Sequence, residues 1–372
     1  MRTHWSRLGA AVGLVCGAAG IVASDAQTVV RDTPAEKVAA AVRDPNWQAP
    51  RTSWGQPSLE GVWSTDDLRS VLYERPEETG ARAELTAEEF AERAKADRDQ
   101  YDDAVNSQTF AGRNDVGVRT FGYTSLVVDP PNGRLPPMTE AGLARRAGRD
   151  QGTYGPGPFN SPEDFTLYDR CITRGIFGGA LPVVYGNGMR IVQTPTTVAI
   201  SYEMIHDTRL IRIDDRPHLD DPIRQYLGSS RGHWEGDTLV VETTNLTDQT
   251  GFGRNGNGPR HSAAMKMTER LRRVDAEMIE YTITAEDPVA YTAPFTVRFM
   301  YGTQPNYRIY EYSCHEGNTA VSQGLSGERA YERAVAEAAA KGLPPPEHVP
   351  SAYNLAPLPT DESAFFDINA GE

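Results

Sequence analysis

Hydrophobic and polar residues alternate along much of residues 188–316. Val198, Ile200 and Tyr202 would lie on one face of a strand, because successive side chains of a strand point to opposite sides. Similar short segments, most of them rich in Val, Ile, Thr, Tyr and Phe, follow one another and predict strands. The predicted strands are residues 189–194, 197–204, 208–214, 232–236, 237–244, 266–274, 277–284, 295–301 and 307–314.

Short connections containing Pro, Gly or Asp join several of these segments. A parallel crossover needs about a dozen or more residues, so strands joined by such short links pair antiparallel. A meander of this many strands curls, and closure into a barrel removes its free edges. The pattern therefore predicts a mainly β protein: an antiparallel meander closed into a β-barrel, with peripheral helices before and after it.

Helix signals and changes in composition divide the rest of the chain. The barrel domain is predicted at 59–325, with helical insertions at 84–104, 139–149 and 161–170. Thr86 and Glu89 have the spacing of a capping box, and Ser161 followed by a proline is a typical helix start. Residues 27–58 are polar and predict an irregular segment. Residues 326–372 predict a helix followed by a Pro-rich tail.

The first residues have the organisation of a secretory signal. Arg2 and Arg7 supply positive charge, and residues 8–22 form an apolar run that small residues follow. The run is too short to span a bilayer comfortably, which disfavours a membrane anchor. We therefore expect a signal peptide at 1–26, cleaved after Ala26, and a periplasmic or secreted protein of the bacterial envelope.

Export makes the cysteines informative. Cys16 lies in the predicted leader, and Val15 before it disfavours a lipoprotein signal, which wants a small residue there. Cys171 and Cys314 remain, and an oxidising compartment favours a disulfide between them. The alternative is a reactive thiol with His315 as its base.

Charge and missing motifs exclude several functions. Asp and Glu number 51 against 37 Lys and Arg, for a net charge of -14. A chain this acidic repels nucleic acid and anionic lipid. We therefore expect no nucleic-acid partner and no membrane insertion after the leader is removed. The sequence lacks the ligand spacing of a zinc site and the loop of a calcium site. It also lacks the dinucleotide-binding and Walker motifs, so we expect no cofactor or metal. Residues 228–232 match a Gly-x-Ser-x-Gly serine motif only in letters, because no strand and helix flank them.

Two resemblances follow from particular residues. Gly61 and Trp63 on a first strand ahead of a long meander resemble the lipocalin-like (calycin-type) barrels, in which the Trp closes one end. The phrases at residues 57–63, 128–136, 170–175, 203–207 and 314–318 together resemble a family of exported bacterial proteins that has no established activity. This resemblance implies export and a shared fold, and it implies no chemistry or site residues.

Titratable groups crowd the turn between the second and third predicted strands. A His beside a carboxylate can act as a general base, and an Arg can hold a developing anion. His206 and Asp207 are therefore candidate catalytic residues, and Glu203 and Arg209 are candidate substrate-binding residues. The alternative is a solvated turn with ordinary ion pairs.

A second cluster depends on the predicted disulfide. A bond between Cys171 and Cys314 would bring Arg174 close to His315 and Glu316. His315 and Glu316 are then candidate catalytic residues, with Arg174 as a substrate-binding residue. The alternative is a disulfide knot whose charges face water. Further substrate-binding candidates are His218 and Trp234.

Two functions of different classes stay open. The first is a cofactor-independent acid/base enzyme (lyase, isomerase, hydratase or hydrolase) with an internal site for a partly apolar, possibly anionic compound. The second is a non-catalytic periplasmic carrier of an apolar lipid or aromatic ligand. An enzyme needs polar groups that converge on a cavity, whereas a carrier needs an apolar cavity with polar groups only at its rim. A third possibility, an envelope interaction module, predicts no cavity.

Overall fold

The structure, a computed structural model, describes residues 47–106, 117–147, 157–183, 185–253, 259–304 and 307–348. The predicted signal peptide, most of the predicted irregular segment and most of the Pro-rich tail lie outside these residues. The strands are β1 (Gly61–Ser64), β2 (Val127–Asp129), β3 (Gly188–Thr194), β4 (Thr197–Tyr202), β5 (Thr208–Arg212), β6 (Ser229–Glu235), β7 (Thr238–Thr244), β8 (Lys266–Arg273), β9 (Met278–Glu286) and β10 (Phe295–Gly302). The α-helices are α1 (Ala87–Asn106), α2 (Glu140–Ala147), α3 (Gly175–Ala180) and α4 (Ala320–Ala340).

Nine of the strands form a closed barrel, which confirms the predicted fold class. Closure depends on β1, which pairs antiparallel with β3 on one side and meets β10 on the other through Ser64 and Gly302. One edge of β10 is taken by β9 along its whole length, so β1 and β2 share the opposite edge. The comparison with lipocalin-like barrels stays a prediction.

Two features of the barrel differ from the predicted meander. β5 and β6 run parallel, with Ile211 opposite Ser230. Their link, residues 213–228, is long enough for the crossover that a parallel pair requires. The prediction of a last strand at 307–314 is wrong, because this segment joins no sheet. The short strand β1 closes the barrel in its place.

The predicted helical insertions are present in two of three cases. α1 and α2 occupy the first two, and at α1 the Thr86 N–H donates to Glu89 Oε2 at 2.7 Å, as in a capping box. The prediction of a helix at 161–170 is wrong, because only the 3₁₀ turn Pro162–Asp164 forms there. α4 begins six residues before the predicted start at 326. None of the helices in the described ranges is long and apolar enough to cross a membrane.

Side chains fill the described interior of the barrel. On β4, Val198, Ile200 and Tyr202 are buried and the residues between them are only half-buried, which confirms the predicted alternation. Other inward residues, none more than 1% exposed, are Ile279, Tyr281, Ile283, Ala285, Val297, Phe299 and Tyr301. Side chains of this size fill the interior of a small barrel, as is usual for barrels of about this strand number.

The Gly61-x-Trp63 triplet of β1 has a steric explanation. Gly61 has a φ of +150°, and a Cβ there would lie 3.1 Å from Nε1 of Trp63. That Nε1–H donates to the Leu59 carbonyl at 3.0 Å, and the guanidinium of Arg273 lies 5.1 Å above the indole ring. Glycine therefore lets the buried Trp63 ring fold back against its own strand, where it packs under the end of β8.

An ion pair lies inside the barrel. Arg209 of β5 and Glu269 of β8 are both buried, and Nη1 of Arg209 donates to Oε1 of Glu269 at 2.7 Å while Nη2 donates to Oε2. Arg209 Nη2 also donates to Thr243 Oγ1 at 2.7 Å, and the Tyr281 hydroxyl donates to Glu269. Burial alone would lower the pKa of Arg209, but Glu269 outweighs it and raises that pKa. The pair is thus fully hydrogen-bonded, which a buried charge requires.

Removing one partner of this pair is expected to destabilise the barrel strongly. Glu269→Gln leaves the Arg209 charge buried without a counter-charge, so the free energy of unfolding falls by about 3–5 kcal/mol. Glu235→Gln is the matched control, because it breaks an exposed ion pair with Arg270 on the same sheet and leaves stability nearly unchanged. Urea unfolding measures both. Equal effects of the two substitutions would contradict a structural role of the interior pair.

Candidate functional site

Helix α3 closes one end of the barrel. Phe177 contacts Phe252 edge-to-face at 5.2 Å between ring centroids, and its ring lies 6.2 Å from that of Phe295 at the start of β10. Gly179 packs against Tyr202, and a Cβ on it would lie 3.2 Å from the ring. Gly179 therefore allows α3 to approach the Tyr202 ring closely.

The predicted disulfide ties two segments together beside α3. Cys171 and Cys314 are joined, with their Cα atoms 5.7 Å apart. The Asn318 side-chain amide adds a hydrogen bond to the Asp169 carbonyl at 2.8 Å. Because the bridge spans 143 residues, the chain-entropy model gives a stabilisation of about 5 kcal/mol. It holds the irregular segment 307–314 against the barrel end.

Two predicted site residues, Glu203 and His206, hold the same segment from the β4–β5 turn. The Tyr307 hydroxyl donates to the Glu203 carboxylate, and the Tyr310 N–H donates to it at 3.2 Å. Nδ1 of His206 lies 3.1 Å from the Tyr312 carbonyl oxygen. Because a carbonyl oxygen only accepts, Nδ1 is the donor in this contact.

Strained backbone conformations gather at this end. Ile205 and His206 have φ of 67° and 50°, and Cys171 has a φ of 56°. Positive φ is uncommon for non-glycine residues and least expected for a β-branched one such as Ile205. Each such residue costs on the order of 1–3 kcal/mol and persists only where the surroundings impose it, which happens most often at functional sites.

Arg174, immediately before α3, is buried and has no carboxylate as a hydrogen-bond partner in the described part of the chain. It is 3% exposed, and its Nε and Nη2 are buried with no hydrogen-bond partner. Burial lowers the pKa of Arg174 to about 10, and electrostatic interactions with tyrosines oppose that shift. Arg174 therefore stays charged at neutral pH. The tyrosines are Tyr168, Tyr185, Tyr202 and Tyr312.

Three of the tyrosines at Arg174 have raised pKa values, so their hydroxyls stay protonated. Burial raises the pKa values of Tyr202 and Tyr312 to about 12, and it also raises the pKa of Tyr168. The Tyr185 and Tyr312 rings stack with centroids 6.3 Å apart, and their hydroxyl oxygens are 3.4 Å apart. The buried Tyr202 hydroxyl has no hydrogen-bond partner. A cation beside neutral hydroxyls is an environment that favours an anion.

Asp207 is hydrogen-bonded to the residue that precedes Arg174. Its Oδ2 accepts a hydrogen bond from the Thr173 hydroxyl at 2.5 Å, and Thr173 directly precedes Arg174. Burial raises the pKa of Asp207, although hydrogen bonds from Thr173 and Thr208 oppose the shift. Tyr202 interacts electrostatically with both Asp207 and Arg174. A carboxylate with a raised pKa is a stronger proton acceptor than an ordinary one.

A buried carboxyl anchors the loop that carries Tyr185. Asn187 donates to Asp66 Oδ1 at 2.7 Å and accepts from the Val183 N–H at 2.8 Å. Ser64 donates to the other oxygen of Asp66 at 2.5 Å. Burial raises the pKa of Asp66 to about 6. The end of β1 therefore fixes the loop on one side of Arg174.

The structure thus brings together four predicted residues, Arg174, Glu203, His206 and Asp207, and leaves the others apart. Arg209 lies in the barrel interior. His315 and Glu316 are exposed in the turn after Cys314, and His218 is half-buried in the β5–β6 link. Trp234 is half-buried beside an open groove of about 480 Å³ between β6 and the start of the β5–β6 link. Within the described ranges, no group of three or more His, Cys, Asp or Glu is placed to hold a metal ion.

The tyrosines are the part of the site that sequence reasoning missed. Tyr168 precedes Cys171 by three residues, and Tyr312 precedes Cys314 by two. A disulfide between these cysteines therefore already implies that the two tyrosines approach each other. Nothing comparable marks Tyr202, which looks like any other inward residue of a strand.

Comparison of the chain with known proteins does not assign it to a family. No family model, curated protein or solved structure matches it. The resemblance to an exported bacterial family therefore stays a prediction, and the function has to be inferred from the residues at the barrel end.

Asp66 makes the stability of the protein depend on pH. Its pKa of about 6 lies above the ordinary 3.8, so the folded state binds the proton more tightly than the unfolded one. The corresponding stabilisation, about 3 kcal/mol, is present below about pH 4 and is lost as the pH rises through about 6. Asp66→Asn removes this component, so its stability relative to the wild type should rise between pH 4 and 6 in urea unfolding. The exposed Asp102→Asn is the control, and an equal pH trend in both variants would contradict the assignment.

Proposed function

We propose that this protein is an exported, cofactor-independent acid/base enzyme that acts on a small anion at the Arg174 site. This site comprises Arg174, Asp207 and the tyrosines at positions 168, 185, 202 and 312. The observation that carries the proposal is the buried guanidinium of Arg174, which has two unpartnered nitrogens and no carboxylate. The apolar leader and the bridged cysteines support export.

The residues of the site have complementary roles in this proposal. Arg174 holds the anionic group and the neutral tyrosine hydroxyls donate hydrogen bonds to oxygens that gain charge. Asp207 in its ionised form accepts a proton from the bound molecule, which its raised pKa favours. Nε2 of His206, oriented by the Tyr312 carbonyl, is a second proton acceptor at the rim.

The carrier is the second candidate, and the same residues bear on it. A carrier of an apolar lipid needs an apolar cavity, whereas the described barrel interior holds aromatic side chains and the Arg209–Glu269 pair. The stacked rings of Tyr185 and Tyr312 favour an aromatic ligand over a lipid chain. A carrier function would thus use the Arg174 site as well, without turnover.

Replacing Arg174 separates a binding role from a structural one. Arg174→Met removes a buried charge that has no counter-charge, so the stability of the ligand-free protein should stay equal or increase. The variant should also lose any small molecule that the wild type retains in native mass spectrometry after purification from its own host. Arg209→Met is the matched comparison, because it breaks a paired buried charge and should destabilise the fold. A large loss of stability in Arg174→Met would assign Arg174 a structural role instead.

Catalysis is tested with the molecule that the wild type retains. Incubation in D₂O should place deuterium in this molecule, and Asp207→Asn should lower the exchange rate by about 10²–10⁴-fold because the proton acceptor is lost. The rate in the wild type should rise with pH through the raised pKa of Asp207, since only the ionised form accepts a proton. Asp215→Asn, an exposed change on the β5–β6 link, is the control. Retention without exchange or any other mass change would favour the carrier.

A further inference from the structure

We propose that the ligand of the Arg174 site is an aromatic monocarboxylate, whose carboxylate binds side-on to Nε and Nη2 of Arg174. This inference rests on the proposed function only in that the site takes an anion, and it applies equally to an enzyme and to a carrier. Three properties of the site carry it: the free edge of the guanidinium, the single positive charge, and the arrangement of the rings.

The two unpartnered nitrogens lie on one edge of the guanidinium. In this protein the same pair, Nε and Nη2, binds one acceptor in several arginines: Ser230 Oγ in Arg209, and the Pro217 carbonyl in Arg231. In Arg174 both N–H groups of this edge are buried and lack an acceptor. Two parallel N–H groups match the two oxygens of a planar carboxylate, which arginine binds in a bidentate manner.

The charge of the site matches a monoanion. The groups that act on Arg174 electrostatically are tyrosines, and burial raises the pKa values of Tyr168 and Tyr202, so these two carry no charge at physiological pH. A phosphate dianion would bring two negative charges to one buried guanidinium. An uncompensated charge in such a site is expensive, so one positive charge favours a ligand with one negative charge.

The rings of the site favour an aromatic body. Tyr185 and Tyr312 stack and are partly exposed, so the site has aromatic rings on its solvent side. Tyr202 packs against Gly179 and presents a buried hydroxyl that lacks a partner. Aromatic faces stack on planar rings, and the free hydroxyl can bond a polar substituent or a carboxylate oxygen.

A panel of probes tests the ligand class on the full mature protein. Calorimetric titration and ligand-observed NMR are carried out with benzoate, phenylphosphate, cyclohexanecarboxylate and benzyl alcohol. We expect benzoate to bind at least ten times more tightly than phenylphosphate and cyclohexanecarboxylate, and benzyl alcohol not to bind measurably. Tighter binding of phenylphosphate would overturn the monocarboxylate, and equal binding of cyclohexanecarboxylate would overturn the aromatic body.

Two arginine variants test the side-on geometry. Arg174→Lys keeps the charge but loses the flat edge, and it should weaken benzoate binding at least tenfold. Arg170→Lys is the matched control. Arg170 lies four residues before Arg174 and is half-buried, but its guanidinium has a carboxylate partner, Glu163, at 3.8 Å. Unchanged affinity in Arg174→Lys would overturn the inference.

The probes also separate this inference from the proposed function. If no probe binds but the wild type retains its own small molecule and Arg174→Met loses it, the ligand class is wrong and the anion site stands. If no probe binds and nothing is retained, both are wrong, and the free guanidinium edge is satisfied by water.

Discussion

Side chains fill the described interior of this closed barrel around a buried ion pair. Arg209 and Glu269 meet inside the wall with bidentate geometry, and hydroxyl groups satisfy their remaining hydrogen-bonding capacity. Neither partner of such a pair can be removed without a large cost, because the other charge is then left buried and uncompensated. With its described interior occupied in this way, the barrel is a scaffold, and the proposed site lies where the strands end.

Arg209 and Arg174 show two uses of a buried arginine in one protein. Both are almost fully buried, but Arg209 is neutralised by an acid of the same chain and Arg174 is not. An unsatisfied cation lowers stability, and so do the positive φ values of Ile205 and His206. Unfavourable features of this kind, concentrated at one place, are expected where a protein gives up stability for binding or catalysis.

Local pattern predicts much of this fold, and its failures have a common cause. The period of two locates strands such as β4 and β9, since alternation reflects burial of one face. The segment 307–314 has the same alternation, but the disulfide and Glu203 draw it across the barrel end instead. Tertiary contacts between distant residues override local propensity there. The partner of Arg209 lies 60 residues away, and spacing alone does not identify it.

The candidate site depends on the same long-range contacts. Its tyrosines come from four separate parts of the chain, and the disulfide between Cys171 and Cys314 joins two of these parts. Reduction would free the segment that carries Tyr312, and with it one wall of the Arg174 site. The assembled site therefore requires an oxidising compartment, which is where the predicted leader would send the chain. Export, if it occurs as the leader predicts, would place the cysteines in the conditions under which this bond forms.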